Sequence, residues 1–129
     1  MNATDEHLIS LISVVDDDLA IREATTSLLK SNGFRTMVFR SAEEFLDSPL
    51  LPETKGLILD VQMPGMSGLE LQRRLIAGGR RIPIIFISAH ESQEIRREVL
   101  RAGAVAFLGK PFSEEALLQA IWLALGAAH

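Results

Sequence analysis

Short apolar runs alternate along this chain with stretches of helical spacing, and the alternation leaves few folds open. The runs are rich in Val, Ile and Leu and are expected to form strands. They comprise Leu11–Val15, Thr36–Phe39, Gly56–Asp60, Pro83–Ser88 and Ala106–Leu108. Strands that alternate with helices are typical of a parallel sheet, because parallel strands need crossover connections. The sequence therefore predicts an α/β fold, a doubly wound five-stranded parallel sheet covered by five helices.

Capping signals mark the starts of several predicted helices. Ser41 with Glu44, and Ser67 with Glu70, match the S-x-x-E capping box, which satisfies free backbone N–H groups at a helix start. Asp18 continues an acidic run, but it is better placed to cap the first helix than to bind a metal. We therefore expect helices to begin directly after these positions.

Length and composition limit the organisation of the chain. A chain of 129 residues fits one domain, which we expect to span residues 8–125, with residues 1–7 and 126–129 as flexible termini. The absence of Cys excludes a disulfide framework and a thiolate metal site, and it fits a cytoplasmic protein. The formal charge of -4 argues against nucleic acid or a membrane surface as a direct partner. No apolar run approaches the roughly 18 residues of a membrane span.

Polar residues follow the predicted strands at their carboxyl ends, where ligands bind in open sheets of this kind. These residues are Asp16 and Asp17 after the first strand, Asp60 at the end of the third, Ser88 at the end of the fourth and Lys110 after the fifth. Lys110 is one of only three lysines in the chain, so a lysine ammonium is rare in this sequence. We expect acids, hydroxyl and ammonium to converge.

The chemistry of such a cluster follows from its charges. Crowded carboxylates repel one another and stay ionised only beside a compensating cation. Mg²⁺ prefers oxygen ligands and binds through one or two carboxylates together with phosphate oxygens. An aspartate neutralised in this way can attack phosphorus and form an aspartyl-phosphate. Lys110 and Ser88 would then stabilise charge on the transferred phosphoryl oxygens.

Four motifs of the chain resemble those of CheY-like receiver domains in two-component response regulators. They are Val15–Asp17, Leu59–Gly68, Ile87–Ala89, and Gly103–Ala104 followed by Lys110–Phe112. The resemblance covers residues 8 to 125, and it implies the flavodoxin-like strand order 2-1-3-4-5.

The resemblance also implies roles for the acidic residues. Asp60 would be the phosphoacceptor and a metal ligand. Asp17 would bind the metal directly, whereas Asp16 would act mainly through metal-bound water. The backbone carbonyl of Gln62 would be a further protein ligand, and the ion would be Mg²⁺ or Mn²⁺.

Residues at the ends of the last two strands would bind the phosphoryl group and report it. Ser88 stands where the family has Thr or Ser, followed by Ala89, and its hydroxyl would turn toward the phosphate. Lys110 would pair with the phosphoryl group, and its peptide bond to Pro111 would be cis. Phe107 stands at the aromatic switch position, where it can be buried but cannot donate a hydrogen bond.

Other polar and aromatic residues have two interpretations each. His90 is either a solvated loop residue or a group that faces the phosphoryl group and tunes its hydrolysis. The arginines of the third and fourth helices alternate with Glu residues, which is typical of a solvated face, and a partner surface on the fourth helix and fifth strand is the alternative. Trp122 belongs either to the core or to an interface.

The function that the resemblance implies is a phosphorylation-controlled switch and not an enzyme with turnover. Its partners would be a histidine kinase, a second copy of the phosphorylated chain, and a downstream protein or C-terminal output domain. The segments Ser41–Leu46 and Met63–Gly68 look most like regulators with a helix-turn-helix output domain, which would make transcription the regulated process. A stand-alone receiver and a fragment of a longer regulator both stay open.

Three other functions compete with the switch. A degenerate receiver would act only as an interaction scaffold, although every expected site position is filled. An aspartate-nucleophile phosphatase would need a D-x-D pattern with a general acid, whereas the sequence Asp60-Val61-Gln62 lacks the second acid. A flavin-binding module is disfavoured because the chain has no Tyr and no phosphate-binding loop after the first strand.

Overall fold

A single parallel sheet organises the molecule, for which the computed structural model describes residues 10–90 and 92–127. Its strand order is β2-β1-β3-β4-β5, as the resemblance implied. The strands are β1 (Leu11–Val15), β2 (Arg35–Phe39), β3 (Thr54–Asp60), β4 (Ile84–Ser88) and β5 (Ala106–Gly109). All five predicted strands are confirmed, and their ends shift by at most two residues.

Within the described ranges, five α-helices connect and follow the strands, in agreement with the predicted fold class. They are α1 (Leu19–Ser31), α2 (Ala42–Leu46), α3 (Gly68–Ala77), α4 (Gln93–Arg101) and α5 (Glu114–Ala127). Helix α5 continues through residues 126 and 127, which lie beyond the predicted domain boundary at Leu125. No helix among the described residues is long and apolar enough to cross a membrane.

Side-chain oxygens cap the helices at the positions that the sequence predicted. The Ser41 hydroxyl accepts a hydrogen bond from the Glu44 amide, and the Ser67 hydroxyl accepts one from the Glu70 amide, each at 3.1 Å. The Asp18 carboxylate accepts from two amides in the first turn of α1, so its predicted role as a cap is confirmed. These caps fix where each helix leaves the loop at the carboxyl end of a strand.

The core lies on both faces of the sheet. Every residue of β1 and β4 is buried, as expected for strands covered on two sides. One apolar cluster joins the sheet to α2, α3 and α4, and the other joins it to α1 and α5. Strand β2 lies at one edge of the sheet and β5 at the other, and Met37 and Val38 of β2 are exposed. Because apolar side chains occupy both faces, the polar chemistry of the molecule is concentrated at the strand ends.

Candidate functional site

Three aspartates meet at the carboxyl edge of the sheet. Strands β1 and β3 are neighbours in the sheet, with Val15 opposite Leu59, so the residues that follow them lie side by side. One carboxylate oxygen from each of Asp16, Asp17 and Asp60 lies within 4.8 Å of the other two. Asp16 is fully buried and Asp60 is 4% exposed, while Asp17 is exposed. The predicted convergence of these acids is present in the structure.

Lys110 reaches the same cluster from the end of β5. Its Nζ lies 2.9 Å from Asp16 Oδ2 and 3.6 Å from Asp60 Oδ1. The Lys110 backbone N–H donates to the Ser88 carbonyl at 2.7 Å, which ties the loop after β5 to the end of β4. The peptide bond between Lys110 and Pro111 is cis. One ammonium therefore faces three carboxylates, and negative charge is in excess.

Burial and neighbouring charge disfavour ionisation of Asp60. Burial is the largest influence and the Asp16 carboxylate the next, and together with Asp17 they raise the pKa of Asp60 to about 6. Lys110 and the backbone N–H of Gln62 act in the opposite direction but are weaker. The Asp60 carboxylate is thus poorly stabilised by the protein alone, and a further cation at this edge would stabilise it.

Lys110 remains a cation in this environment. Burial by itself would lower the pKa of Lys110, but the hydrogen bond and charge of Asp16, with the charge of Asp60 and then of Asp18, raise it. An ammonium that is held between two buried carboxylates supplies a fixed positive charge beside Asp60.

The donor set fits a small hard cation. Mg²⁺ takes oxygen ligands in an octahedral arrangement with bonds of about 2.1 Å, so opposite ligands lie about 4 Å apart. The three carboxylate oxygens lie within 4.8 Å of one another, so a single ion could be shared by all three. Because Asp17 is exposed, the cluster is accessible from solvent. The residues present therefore suit Mg²⁺ or Mn²⁺.

Asp16 is held in place by the N-cap residue of α1 and by a residue in its first turn. The Asp18 backbone N–H donates to Asp16 Oδ1 at 2.9 Å, and Arg22 Nη1 donates to the Asp16 carbonyl at 2.8 Å. Arg22 was not predicted as part of the site. Its position one turn into the helix that follows the acidic run was the available signal, because that turn lies over the loop.

Ser88 is buried at the end of β4, and its hydroxyl is bonded within its own loop. It donates to the His90 carbonyl at 2.8 Å and accepts from the His90 N–H at 3.1 Å. Its neighbour Ile87 lies opposite Asp60 in the sheet, so Ser88 stands at the same edge as the acids. Ala89 and His90 themselves are exposed.

The Phe107 side chain is buried, and the Arg96 guanidinium lies over its ring. The ring is 5% exposed and packs in the cluster beneath α3 and α4. The Arg96 guanidinium lies 5.9 Å from the ring centroid, and its Nη1 donates to the Phe107 carbonyl at 3.1 Å. The sequence analysis placed Arg96 among the charges of a solvated face, whereas here it also contacts β5.

The neighbouring arginines and the tryptophan lie farther from the acids. Arg73 pairs with Glu98 across α3 and α4, and Arg74 pairs with Glu70 within α3. Both pairs are exposed, as expected for a solvated face. Trp122 is 42% exposed and packs against Phe34.

The loop after β3 follows the candidate phosphoacceptor and is closely packed at both ends. The side chain of Gln62 is exposed, so only its backbone is directed by the fold. Farther along, the Met66 N–H donates to Glu43 Oε2 at 3.2 Å. Glu43 was not predicted as part of the site, because the contact joins residues 23 positions apart and no local pattern marks it.

Gly68 at the start of α3 is a point where no side chain fits. A Cβ there would lie 2.3 Å from the backbone oxygen of Asp60, and backbone cannot give way cheaply. We expect Gly68→Ala to lower the free energy of unfolding by about 3 kcal/mol and to displace Asp60. Chemical denaturation measures the loss.

A second glycine provides the control for this prediction. A Cβ at Gly126, in the last turn of α5, would meet no atom within 4 Å. Gly126→Ala should therefore raise stability by about 0.5 kcal/mol, since alanine is the better helix former. Equal stability of the Gly68→Ala variant and the unchanged protein would contradict the close approach to Asp60.

Comparisons with known proteins agree with this geometry. A family model described as "Response regulator receiver domain" matches residues 12–122. The chain is 49% identical to the response regulator protein TmoT of Ectopseudomonas mendocina over 92% of this chain and 54% of that protein. It is 37% identical to the transcriptional regulatory protein FixJ of Azorhizobium caulinodans over 89% of this chain and 54% of that protein.

Solved structures have the same fold. The response regulator StyR superimposes with a TM-score of 0.85 at 45% identity, over 92% of this chain and 60% of that one. The N-terminal part of FixJ superimposes with a TM-score of 0.80 at 36% identity, over 90% of this chain and 93% of that one. The chain spans about half the length of the curated relatives that it matches.

Proposed function

Because the chain belongs to the response regulator receiver family, we propose that it takes a phosphoryl group from a histidine kinase onto Asp60 and thereby controls an output. The observation that carries this proposal is the meeting of three aspartates, within 4.8 Å, with the Lys110 ammonium at the carboxyl edge of the sheet. Each of these four side chains then has a chemical role in a single phosphoryl transfer, and none of the roles requires turnover of a substrate.

In the proposed reaction, Asp60 is the nucleophile. One of its carboxylate oxygens attacks phosphorus, an O–P bond forms, and the N–P bond to the kinase histidine breaks, so that the imidazole leaves. Charge on the transferred phosphoryl oxygens is stabilised by the Lys110 ammonium, whose Nζ already lies 3.6 Å from Asp60 Oδ1. Phosphoryl transfer depends mainly on such positioning and charge stabilisation.

Asp16, Asp17, Asp60 and the backbone carbonyl of Gln62 would hold Mg²⁺ or Mn²⁺. When bound, the ion would neutralise the carboxylates and the incoming phosphate, which repel each other. The excess negative charge of the cluster and the raised pKa of Asp60 support this assignment. Arg22 and the Asp18 N–H keep Asp16 in place for it.

The proposed response is a shift between two conformations. The phosphoryl group carries about -1.5 to -2 charge, in place of the single charge of the Asp60 carboxylate, and it would lie beside the Ser88 and Lys110 loops. Ser88, with Ala89 beside it, and the buried Phe107 would carry the change to the surface of α4 and β5. His90 is exposed in the same loop, where it would tune hydrolysis of the phosphoryl group.

The partners follow from the relatives. Response regulators act with histidine kinases, and some of the relatives are named transcriptional regulatory proteins. Since this chain matches only about half of the length of those relatives, we propose that the switch acts on an output domain or a separate protein, with transcription as the regulated process. We further propose that the phosphorylated chain forms homodimers and acts in the cytoplasm.

Incubation with acetyl phosphate and Mg²⁺ tests the proposal. We expect the intact mass to increase by one phosphoryl group, in a bond that hydroxylamine cleaves, because the product is an acyl phosphate. Chelation of Mg²⁺ should prevent the increase. An unchanged mass with donor and metal present would support a scaffold function instead, and continuous release of phosphate from an aryl phosphate would support a phosphatase.

A further inference from the structure

Helix α2 lies against the loop that joins Asp60 to α3, although it contributes no residue to the cluster of acids. Ala42 and Phe45 on its inner side are fully buried. They belong to the same apolar cluster as Met63 and Met66 of the loop. The five-residue helix therefore supports the loop from below by packing.

A carboxylate at the start of α2 adds a directed contact to this packing. Glu43 Oε2 accepts a hydrogen bond from the Met66 N–H at 3.2 Å. A charged acceptor makes such a bond stronger than a neutral one would. The contact joins residues far apart in the chain, so it fixes the position of the loop relative to a separate element and not only its local shape.

Gly65, which precedes Met66, leaves room for the Glu43 carboxylate because it has no side chain. Gly65 has a φ of +77°, a conformation that side chains rarely adopt. A Cβ at Gly65 would lie 2.6 Å from Glu43 Oε2. The absence of a side chain at Gly65 and the approach of Glu43 thus belong to one arrangement.

The loop held in this way runs directly from the candidate site. It begins at Val61, whose N–H donates to the Ile87 carbonyl at 3.0 Å, and it ends where the Gly68 N–H donates to the Val61 carbonyl at 2.9 Å. Between these points lies Gln62, whose backbone N–H acts on Asp60. Displacement of the loop at Met66 would therefore alter the backbone next to the acids.

We propose that Glu43 is a positioning residue, which holds the loop 61–67 in the conformation that directs the Gln62 backbone toward the metal and Asp60. The inference rests on the proposed function for the metal part, whereas the contact between Glu43 and Met66 can be tested without metal. Glu43 itself touches neither the acids nor a substrate, and it acts only through the loop.

Three variants test the proposal. Glu43→Ala removes the acceptor, Glu43→Gln keeps a neutral acceptor of the same shape, and Glu44→Ala is the matched control. Glu44 lies next to Glu43 in the first turn of α2, but its carboxylate pairs with Arg40 on the surface. Both alanine variants therefore lose a similar charge at the helix start, and only one of them loses the loop contact.

The first measurement is hydrogen exchange of the Met66 amide in metal-free protein. We expect exchange about tenfold faster in Glu43→Ala, an intermediate rate in Glu43→Gln, and the unchanged rate in Glu44→Ala. The second is the Mg²⁺ dissociation constant by calorimetry, which should rise about fivefold in Glu43→Ala and remain unchanged in the control.

The outcomes separate the two proposals. Unchanged Met66 exchange in Glu43→Ala, or an equal acceleration in Glu44→Ala, would overturn the role of Glu43. Faster exchange with unaltered Mg²⁺ affinity would overturn the link from the loop to the metal site. Absence of Mg²⁺ binding in the unsubstituted protein would instead overturn the proposed function.

Discussion

Asp60→Asn is expected to abolish phosphorylation completely. The amide has no oxygen with the nucleophilicity of a carboxylate, and Asp60 is the member of the cluster that ends β3. After incubation with acetyl phosphate and Mg²⁺, the intact mass of the variant should stay unchanged. The same measurement on the unsubstituted protein should give the addition of one phosphoryl group.

A control variant and a stability measurement test whether misfolding causes the loss of phosphorylation in Asp60→Asn. Asp47→Asn makes the same change at an exposed residue that ends α2, and it should leave labelling unaffected. In chelator, Asp60→Asn should be more stable than the unsubstituted protein at pH 8, by up to about 3 kcal/mol, because the ionised Asp60 is disfavoured in the fold. Full labelling of Asp60→Asn would contradict the assignment of the phosphoacceptor.

The sign of this stability effect follows from the two protonation states. The pKa of Asp60 is raised from 3.8 to about 6, so the folded protein binds a proton more tightly than the unfolded chain does. Stability from this group is therefore present below pH 3.8 and is lost as the pH rises through about 6. The gain from Asp60→Asn should accordingly be large at pH 8 and small at pH 4.

Asp17→Asn is expected to weaken Mg²⁺ binding at least about tenfold with the fold intact. Asp17 is the exposed member of the cluster, so its charge can be removed without leaving a buried partner unpaired. Asp16 is unsuitable for this purpose, because its loss would leave Lys110 without its closest carboxylate. Calorimetric titration with Mg²⁺ measures the change.

The affinity should also depend on pH. Protons compete with the ion for Asp60, so binding by the unsubstituted protein should weaken as the pH falls below about 6. Asp47→Asn again serves as the control, with unchanged affinity. If Asp17→Asn bound Mg²⁺ as tightly as the unsubstituted protein does, Asp17 would not be a ligand.

The sequence predicted the features that depend on local pattern and on the general geometry of parallel sheets. Apolar runs located the strands, and the carboxyl ends of parallel strands bring Asp16, Asp60 and Lys110 to one edge whatever the details of packing. The caps at Ser41 and Ser67 were equally local, because each involves an amide three residues away.

Contacts that long side chains make between separate elements could not be predicted from the sequence. Glu43 reaches Met66 only because α2 packs under the loop, and its partner is set by the tertiary fold. Arg96 looked like a member of a charged face, yet its reach lets it cover Phe107.

The bonding of Ser88 sets a condition on the proposed change of conformation. A hydroxyl has a single hydrogen, and Ser88 donates it to the His90 carbonyl. If a phosphoryl oxygen on Asp60 is to accept that hydrogen, as proposed, the bond to the His90 carbonyl must break. The same hydroxyl oxygen accepts from the His90 N–H, so the proposed rotation of Ser88 would disrupt both hydrogen bonds that its hydroxyl makes with His90.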